Sequence, residues 1–97
     1  MEGGKRMLFA VVLRAHAGTL NERVARRLHW QYPEDVKPVA EYWLQMDEPS
    51  VFAVVEADSY AALMALRTDW DDLFDVEVSP VITGEEGLEM LREMGPS

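Results

Sequence analysis

Hydrophobic and polar residues alternate in four short segments of the chain, a pattern typical of β-strands. In the first segment Phe9, Val11 and Leu13 fall on one face, and the residues between them fall on the other. The predicted strands cover residues 7–16, 39–46, 51–57 and 73–82. Residues 47–50, Asp-Glu-Pro-Ser, predict a turn that joins the second and third strands into a hairpin.

Between and after these strands, apolar residues recur at the spacing of α-helices. Leu20, Val24 and Leu28 lie four residues apart, so we expect them to form the buried stripe of a first helix. The T-x-x-E pattern at residues 19–22 and again at 83–86 predicts capping boxes at the starts of the first and third helices. The expected buried stripe of the second helix is Ala62, Leu63, Leu66 and Trp70. That of the third helix is Leu88, Leu91 and Met94.

The order of these elements is β-α-β-β-α-β with a trailing helix, which is the split βαβ or ferredoxin-like pattern. Right-handed crossovers would place both long helices on one face of a four-stranded antiparallel sheet with the spatial order 4-1-3-2. The sequence therefore predicts the α+β class. We expect a single domain over residues 7–97, preceded by a flexible leader of residues 1–6.

The second face of this sheet would have no helix over it. A mixture of apolar and charged side chains is typical of a face that meets another sheet, because it suits neither water nor a closed core. We therefore expect two copies to pair as a dimeric α+β barrel with a cavity between them. The residues predicted on this face are Leu8, Ala10, Val12, Arg14, His16, Glu41, Trp43, Gln45, Phe52, Val54, Glu56, Asp75, Glu77 and Val81.

Several short motifs carry a resemblance to a known family. They are Glu56-Ala57-Asp58, Trp70-Asp71-Asp72-Leu73, Glu77-Val78-Ser79-Pro80-Val81 and, upstream, Pro33-Glu34-Asp35-Val36-Lys37. The chain thereby resembles a small prokaryotic family described only as a domain of unknown function and similar to dimeric α+β barrel proteins. The resemblance implies the fold and the dimer but no reaction. Where such proteins tend to show Trp-His in the second strand, this chain has Tyr42-Trp43.

Composition narrows the classes of function. A formal net charge of −9 opposes nucleic-acid binding, which needs a basic surface. The chain has no Cys and only two His residues, at positions 16 and 29, without metal-ligand spacing, so we expect neither a metal nor a cofactor. No apolar run approaches the roughly 20 residues that span a bilayer. Because no signal-peptide pattern is present either, we expect a cytoplasmic protein that does not bind membranes.

Four charged residues form the candidate catalytic group. The antiparallel order places the end of the first strand beside the start of the fourth, so Arg14 and His16 should lie near Asp75 and Glu77. A His beside a carboxylate can act as a general base, and an Arg can hold an anionic substrate group. His16 would then be the base, Arg14 the anion clamp, and Asp75 or Glu77 the orienting acid. The alternative is a cluster of interface salt bridges.

A second group is a candidate for ligand binding. Trp43 is the best aromatic wall for a cavity, and packing against a second copy is an equally good alternative for it. Phe52 lies on the same predicted face. The hairpin is expected to bring Glu41 opposite the region of Glu56. Two facing carboxylates would either raise the pKa of one of them or need a cation, such as Arg14 of a second copy. Trp30 falls on the same side of the first helix as three arginines, which predicts either stacked packing under the C-terminal tail or a partner contact.

The sequence leaves three functions open. We favour a homodimer that binds a small organic molecule in a cavity on the exposed sheet face, or between the sheet and its helices. The second is a cofactor-free oxygenase of aromatic substrates, or an isomerase or cyclase, that uses His16 as its base. The third is a structural or regulatory dimerisation module. The fold alone does not choose among them, because one scaffold hosts many activities.

Overall fold

Alternating and helical segments of the sequence become four strands and three helices. The computed structural model describes residues 6–45 and 50–95. The predicted leader, except for Arg6, and most of the predicted turn lie outside the described residues. The strands are β1 (Met7–Ala15), β2 (Val36–Leu44), β3 (Ser50–Ala57) and β4 (Phe74–Val81). The helices are α1 (Leu20–His29), α2 (Met64–Trp70), which follows a 3₁₀ turn at Tyr60–Leu63, and α3 (Gly84–Glu93).

The strands form one sheet in the order β2-β3-β1-β4, and every neighbouring pair is antiparallel. This is the predicted order 4-1-3-2 followed from the opposite edge. The α+β class and the β-α-β-β-α-β arrangement with a C-terminal helix are therefore confirmed. Within the described residues, no helix is long and apolar enough to cross a bilayer.

The core lies between one face of the sheet and α2. Phe9 and Val11 of β1 are almost fully buried, as the alternation predicts. They pack with the apolar side of the second helical segment, where Leu63, Leu66 and Trp70 are buried as expected. This helix therefore buries its predicted stripe against the sheet.

The first and third helices do not bury their predicted stripes. Leu20, Val24 and Leu28 are 54%, 50% and 75% exposed, and α3 has no buried residue at all. In α1 the buried residue is Arg23. The helix is therefore turned so that its arginine side, rather than its leucine side, meets the domain. The prediction for these two stripes was wrong, because periodicity identifies an apolar side without showing what covers it.

The two T-x-x-E patterns have different outcomes. Thr83 and Glu86 form the predicted capping box: the Thr83 hydroxyl accepts from the Glu86 amide at 3.0 Å, and the Glu86 carboxylate accepts from the Thr83 amide at 2.9 Å. Thr19 does not cap α1 with its side chain. Its hydroxyl donates to the His16 carbonyl and accepts from Arg23 Nε. The predicted box at residues 19–22 is wrong, because Thr19 lacks the extended backbone that a capping residue needs.

A β-bulge lies near the start of β2. Pro38 pairs with Val55 and Ala40 pairs with Val54, so Val39 is an extra residue without an opposite partner. Proline has no N–H to give to a ladder, and it is accommodated at irregular positions of edge strands such as this one. Because of this extra residue, every later side chain of β2 lies on the face opposite to the one that strict alternation would give it.

This reversal corrects the predicted placement of three residues. Glu41 is opposite the buried Ala53 and Trp43 is opposite Val51, so both lie on the helix side of the sheet. Gln45 lines the same side. The prediction that these residues belong to the uncovered face is wrong. An unbulged alternation across Pro38 would have placed them there.

Candidate functional site

The face of the sheet turned away from α2 is the open face. Cross-strand pairing places on it one continuous group of partly exposed apolar side chains. Charged side chains lie around this group rather than within it. The apolar residues of the open face are Leu8, Ala10, Val12, Ala40, Tyr42, Leu44, Phe52, Val54 and Val81.

His16 and Asp75 are in contact, as predicted. His16 Nε2 lies 2.9 Å from Asp75 Oδ1, and Nδ1 lies 3.3 Å from the Asp72 carbonyl oxygen. The hydrogen bond with Asp75 is the main reason that the pKa of His16 is raised above its ordinary value, against a smaller opposing effect of burial. Both ring nitrogens face oxygen acceptors, which favours the doubly protonated imidazolium.

Arg14 and Glu77 form the second predicted contact, with Arg14 Nη1 donating to Glu77 Oε1 at 2.8 Å. Both side chains are more than half exposed, so water screens this ion pair. The four candidate catalytic residues are therefore brought together. None of them lines either of the two cavities described below.

An apolar cavity lies on the helix side of the sheet, between α1 and β3. Its volume is about 400 Å³, within the range of sites for small organic molecules. The exposed stripe of α1, Leu20, Val24 and Leu28, forms one wall, and Val51 and Ala53 contribute to the facing sheet. The apolar residues that α1 fails to bury thus face a space large enough for a ligand.

Glu41 is the polar centre of this cavity. Its carboxylate accepts hydrogen bonds from the Tyr32 hydroxyl at 2.7 Å, from Trp43 Nε1 at 2.6 Å and from Arg27 Nη2 at 3.3 Å. Burial alone would raise the pKa of Glu41. The bonds from Trp43, Tyr32 and Arg27 together outweigh burial, so the pKa lies below its ordinary value. Burial and the bond to Glu41 raise the pKa of Tyr32 far above its ordinary value.

The arginines of α1 stack on aromatic rings and so help to attach this helix. Arg26 also makes a two-pronged ion pair with Asp72, at 2.7 and 2.9 Å, and donates to the Asp69 carbonyl. Trp30 Nε1 donates to the Asp69 carboxylate at 2.8 Å. The stacked pairs are Arg23 over Phe74, Arg26 over Trp70 and Arg27 over Trp30, at 5.7, 5.5 and 5.5 Å from the ring centroids. Arg27 thus stacks on Trp30, while packing of Trp30 under the C-terminal tail or against a partner stays a prediction.

Phe52 and Glu56 lie on the open face, as predicted, and away from the cavity beside α1. Glu56 is not opposite Glu41: its cross-strand neighbour in β2 is Lys37, and Arg6 Nε lies 3.5 Å from its carboxylate. It lines a more polar groove at this end of the sheet. The predicted pair of facing carboxylates is therefore wrong, and cations accompany Glu56 instead.

Of the four predicted ligand-binding residues, Trp43 and Glu41 line the apolar cavity and the other two do not. Sequence reasoning missed Arg27 and Tyr32, the partners of Glu41. Tyr32 follows α1 without any periodic pattern, so no signal marked it. In the described part of the chain, no three His, Asp or Glu side chains are grouped to share a metal ion.

The sequence matches the model of a known family. The profile of the family described as Domain of unknown function (DUF3303) matches residues 7–95, almost the whole chain. Neither the curated proteins nor the solved structures contain a match to this sequence.

Proposed function

The chain belongs to the DUF3303 family of domains of unknown function, and we propose that it forms a homodimer that binds a small organic molecule. The ligand proposal rests on the cavity of about 400 Å³ between α1 and the sheet. Its ligand has a mostly apolar body and one polar group that meets the hydrogen-bonding cluster of Glu41, Arg27, Tyr32 and Trp43.

The apolar walls support this ligand chemistry. Water that fills an apolar space has few hydrogen-bond partners there, so an apolar group that displaces it gains free energy. Each leucine-sized side chain that the ligand covers contributes about 1.5–3 kcal/mol when burial is complete. Leu20, Val24 and Leu28 are all at least half exposed and all line the cavity. The exposed stripe of α1 therefore gives the ligand its main apolar contact.

The open face supports the homodimer. Its apolar group is continuous across all four strands, and patches of this kind mark interaction sites. The face repeats on a second copy, so two copies related by a two-fold axis would each cover the other's apolar group. In this arrangement the ligand cavity lies on the opposite side of the sheet from the dimer contact.

Ligand binding is tested with three naphthalene probes that differ in one polar group: 2-naphthoate, 2-naphthol and 2-naphthylmethylamine. Titration is followed by the NMR signals of the Trp43 and Trp30 indole N–H groups. We expect at least one probe to shift the Trp43 signal saturably. Leu28→Glu should weaken its binding at least about tenfold, because a charge replaces an apolar wall. Ala25→Glu, on the exposed side of α1, is the matched control and should change affinity little.

If none of the three probes binds saturably, or if Leu28→Glu binds as tightly as Ala25→Glu, the ligand proposal is contradicted. Failure of all probes in a chain that is still dimeric would favour the dimerisation module instead. The folded state of both variants is checked by their NMR spectra, since positions 25 and 28 are exposed.

A cofactor-free enzyme is the second candidate, and the contact between His16 and Asp75 is the observation that favours it. A general base needs a ring nitrogen with a free lone pair. In the structure both nitrogens of His16 face oxygen atoms, and the imidazolium that this favours cannot take up a proton. We therefore place this candidate behind ligand binding.

A further inference from the structure

We propose that α3 packs its apolar side on a second copy of the chain and so clasps the dimer, an inference that rests on the homodimer proposed above. The helix has two distinct sides. One side carries Leu88, Leu91 and Met94, which are 53%, 62% and 80% exposed. The opposite side carries mostly charged residues, namely Glu85, Glu86, Glu89, Arg92 and Glu93.

A helix of this length needs a packing partner. Helices shorter than about 12–15 residues are marginal in water even when their residues favour helix formation. α3 has ten residues and buries none of them on its own chain. The capping box of Thr83 and Glu86 fixes its first turn but contributes only about 1 kcal/mol. The apolar side must therefore be covered by something other than the described part of this chain.

The residues of the sequence that the structure does not describe carry few large apolar side chains. Residues 1–5, 46–49 and 96–97 contain Met1 and Met46 as their only large apolar side chains. An anionic membrane surface is a poor partner too, because the helix carries four Glu residues and one Arg. A second copy presents an apolar surface that could cover this side of α3, its open face.

The area of the open face also favours a second copy as the packing partner of α3. Strand spacings of about 4.8 Å and a rise of about 3.3 Å per residue give a footprint of roughly 500 Å² for a four-stranded sheet with strands of this length. Stable interfaces bury about 800 Å² on each partner. A ten-residue helix, about 15 Å long and 10 Å wide, covers roughly 150 Å². With α3 of each copy on the other's open face, each copy would bury its open face and its own helix, roughly 650 Å², which is closer to the area of a stable interface than the open face alone.

The test compares two variants of the full chain by sedimentation equilibrium. The double variant Leu88→Glu/Leu91→Glu adds two negative charges to the apolar side. Arg92→Glu changes the formal charge by the same amount on the charged side, so it is the matched control. We expect the double variant to raise the dimer dissociation constant at least about 30-fold, and the control to raise it less than about threefold.

The outcomes separate this inference from the proposal on which it rests. A wild-type chain that is monomeric at every concentration overturns the homodimer and the clasp together. A wild-type dimer whose affinity is unchanged in Leu88→Glu/Leu91→Glu overturns the clasp alone. Binding of the wild-type chain to phosphatidylglycerol vesicles, lost in the double variant while the dimer persists, also overturns the clasp and makes a membrane the occupant. Both leucines are exposed, so NMR spectra of the variants should show an intact sheet.

Discussion

Glu41 joins three side chains that come from α1, from the segment after it and from β2. Its carboxylate is only 18% exposed and accepts from Arg27, Tyr32 and Trp43. Glu41→Gln keeps the shape of the side chain but removes its negative charge. The NH₂ group of the glutamine would then face the hydrogen-bond donors that now bind the carboxylate. We expect the free energy of unfolding to fall by about 1–3 kcal/mol, measured by urea denaturation at pH 7.

Glu89→Gln provides the control for this change. Glu89 pairs with Arg92 on the exposed side of α3, so its replacement should cost less than about 0.5 kcal/mol. The pKa of Glu41 is lowered in the folded chain, so its contribution is present above the ordinary value of 4.5 and is lost as the pH falls through the folded value. The gap between wild type and Glu41→Gln should therefore narrow in acid. An equal loss in both variants at pH 7 would contradict the role of Glu41.

The contact between His16 and Asp75 predicts a pH dependence. The pKa of His16 is raised mainly by its hydrogen bond with Asp75, so the pair stabilises the fold fully below pH 6.5 and loses this effect as the pH rises through the folded value. Asp75→Asn should bring the pKa of His16 back toward 6.5, measured from the NMR shift of its Cε1 proton. Glu77→Gln, which removes the partner of Arg14, should change it little.

A different result for His16 would reverse the ranking of the candidate functions. If the pKa of His16 in the wild-type chain were at or below 6.5, its ring would be neutral near pH 7. A neutral ring has a lone pair that can accept a proton. The enzyme proposal would then regain its proposed base.

At the residue scale, sequence reasoning located the contacts between strands better than those beside α1. Arg14, His16, Asp75 and Glu77 follow from strand order and alternation, and they meet as expected. The partners of Glu41 could not be predicted, because they depend on the angle at which α1 lies and on the position of Tyr32 after it. Such contacts are set by tertiary packing, which leaves no periodic trace in the sequence.

At the element scale, α1 depends on its arginines. Arg26 pairs with Asp72 through two nitrogens and stands over the Trp70 ring. Arg26→Lys keeps the charge but loses the two-pronged geometry and the planar stack. Because both partners are at least a third exposed, we expect a modest local loss of about 1 kcal/mol.

This loss should appear in hydrogen exchange. The amides of α1 should exchange about fivefold faster in Arg26→Lys, while those of β1 keep their protection. Arg92→Lys, whose pair with Glu89 is exposed, is the control and should leave α1 unchanged. Equal exchange of α1 in Arg26→Lys and the wild-type chain would show that its leucine side, rather than its arginine side, attaches the helix.

The strands and helices could largely be predicted from the sequence, but the side of the sheet or helix that is buried could not. Strand order follows from the number and kind of segments, and one of the two capping boxes forms as its sequence predicts. The bulge at Val39 was missed, and it moved Glu41 and Trp43 to the other side of the sheet. Pro38 carried the available signal, because a proline inside a strand marks a bulge or an edge.

At the scale of the whole molecule, three apolar surfaces lie uncovered in the part of one copy that the structure describes. They are the open face, the apolar side of α3 and the stripe of α1. In our account a second copy covers the first two, and a ligand covers the third. The bulge separates these roles, because it places the cavity residues on the side of the sheet away from the dimer contact. Dimerisation and ligand binding should therefore be separable by mutation.

The molar mass of the full chain in solution shows whether the proposed dimer forms. Sedimentation equilibrium between about 1 and 100 µM spans the affinities of ordinary specific dimers. We predict a species of twice the chain mass of 11.0 kDa over most of this range. A single species of 11.0 kDa at every concentration would contradict the account, because the open face and α3 would then be exposed to water without a partner.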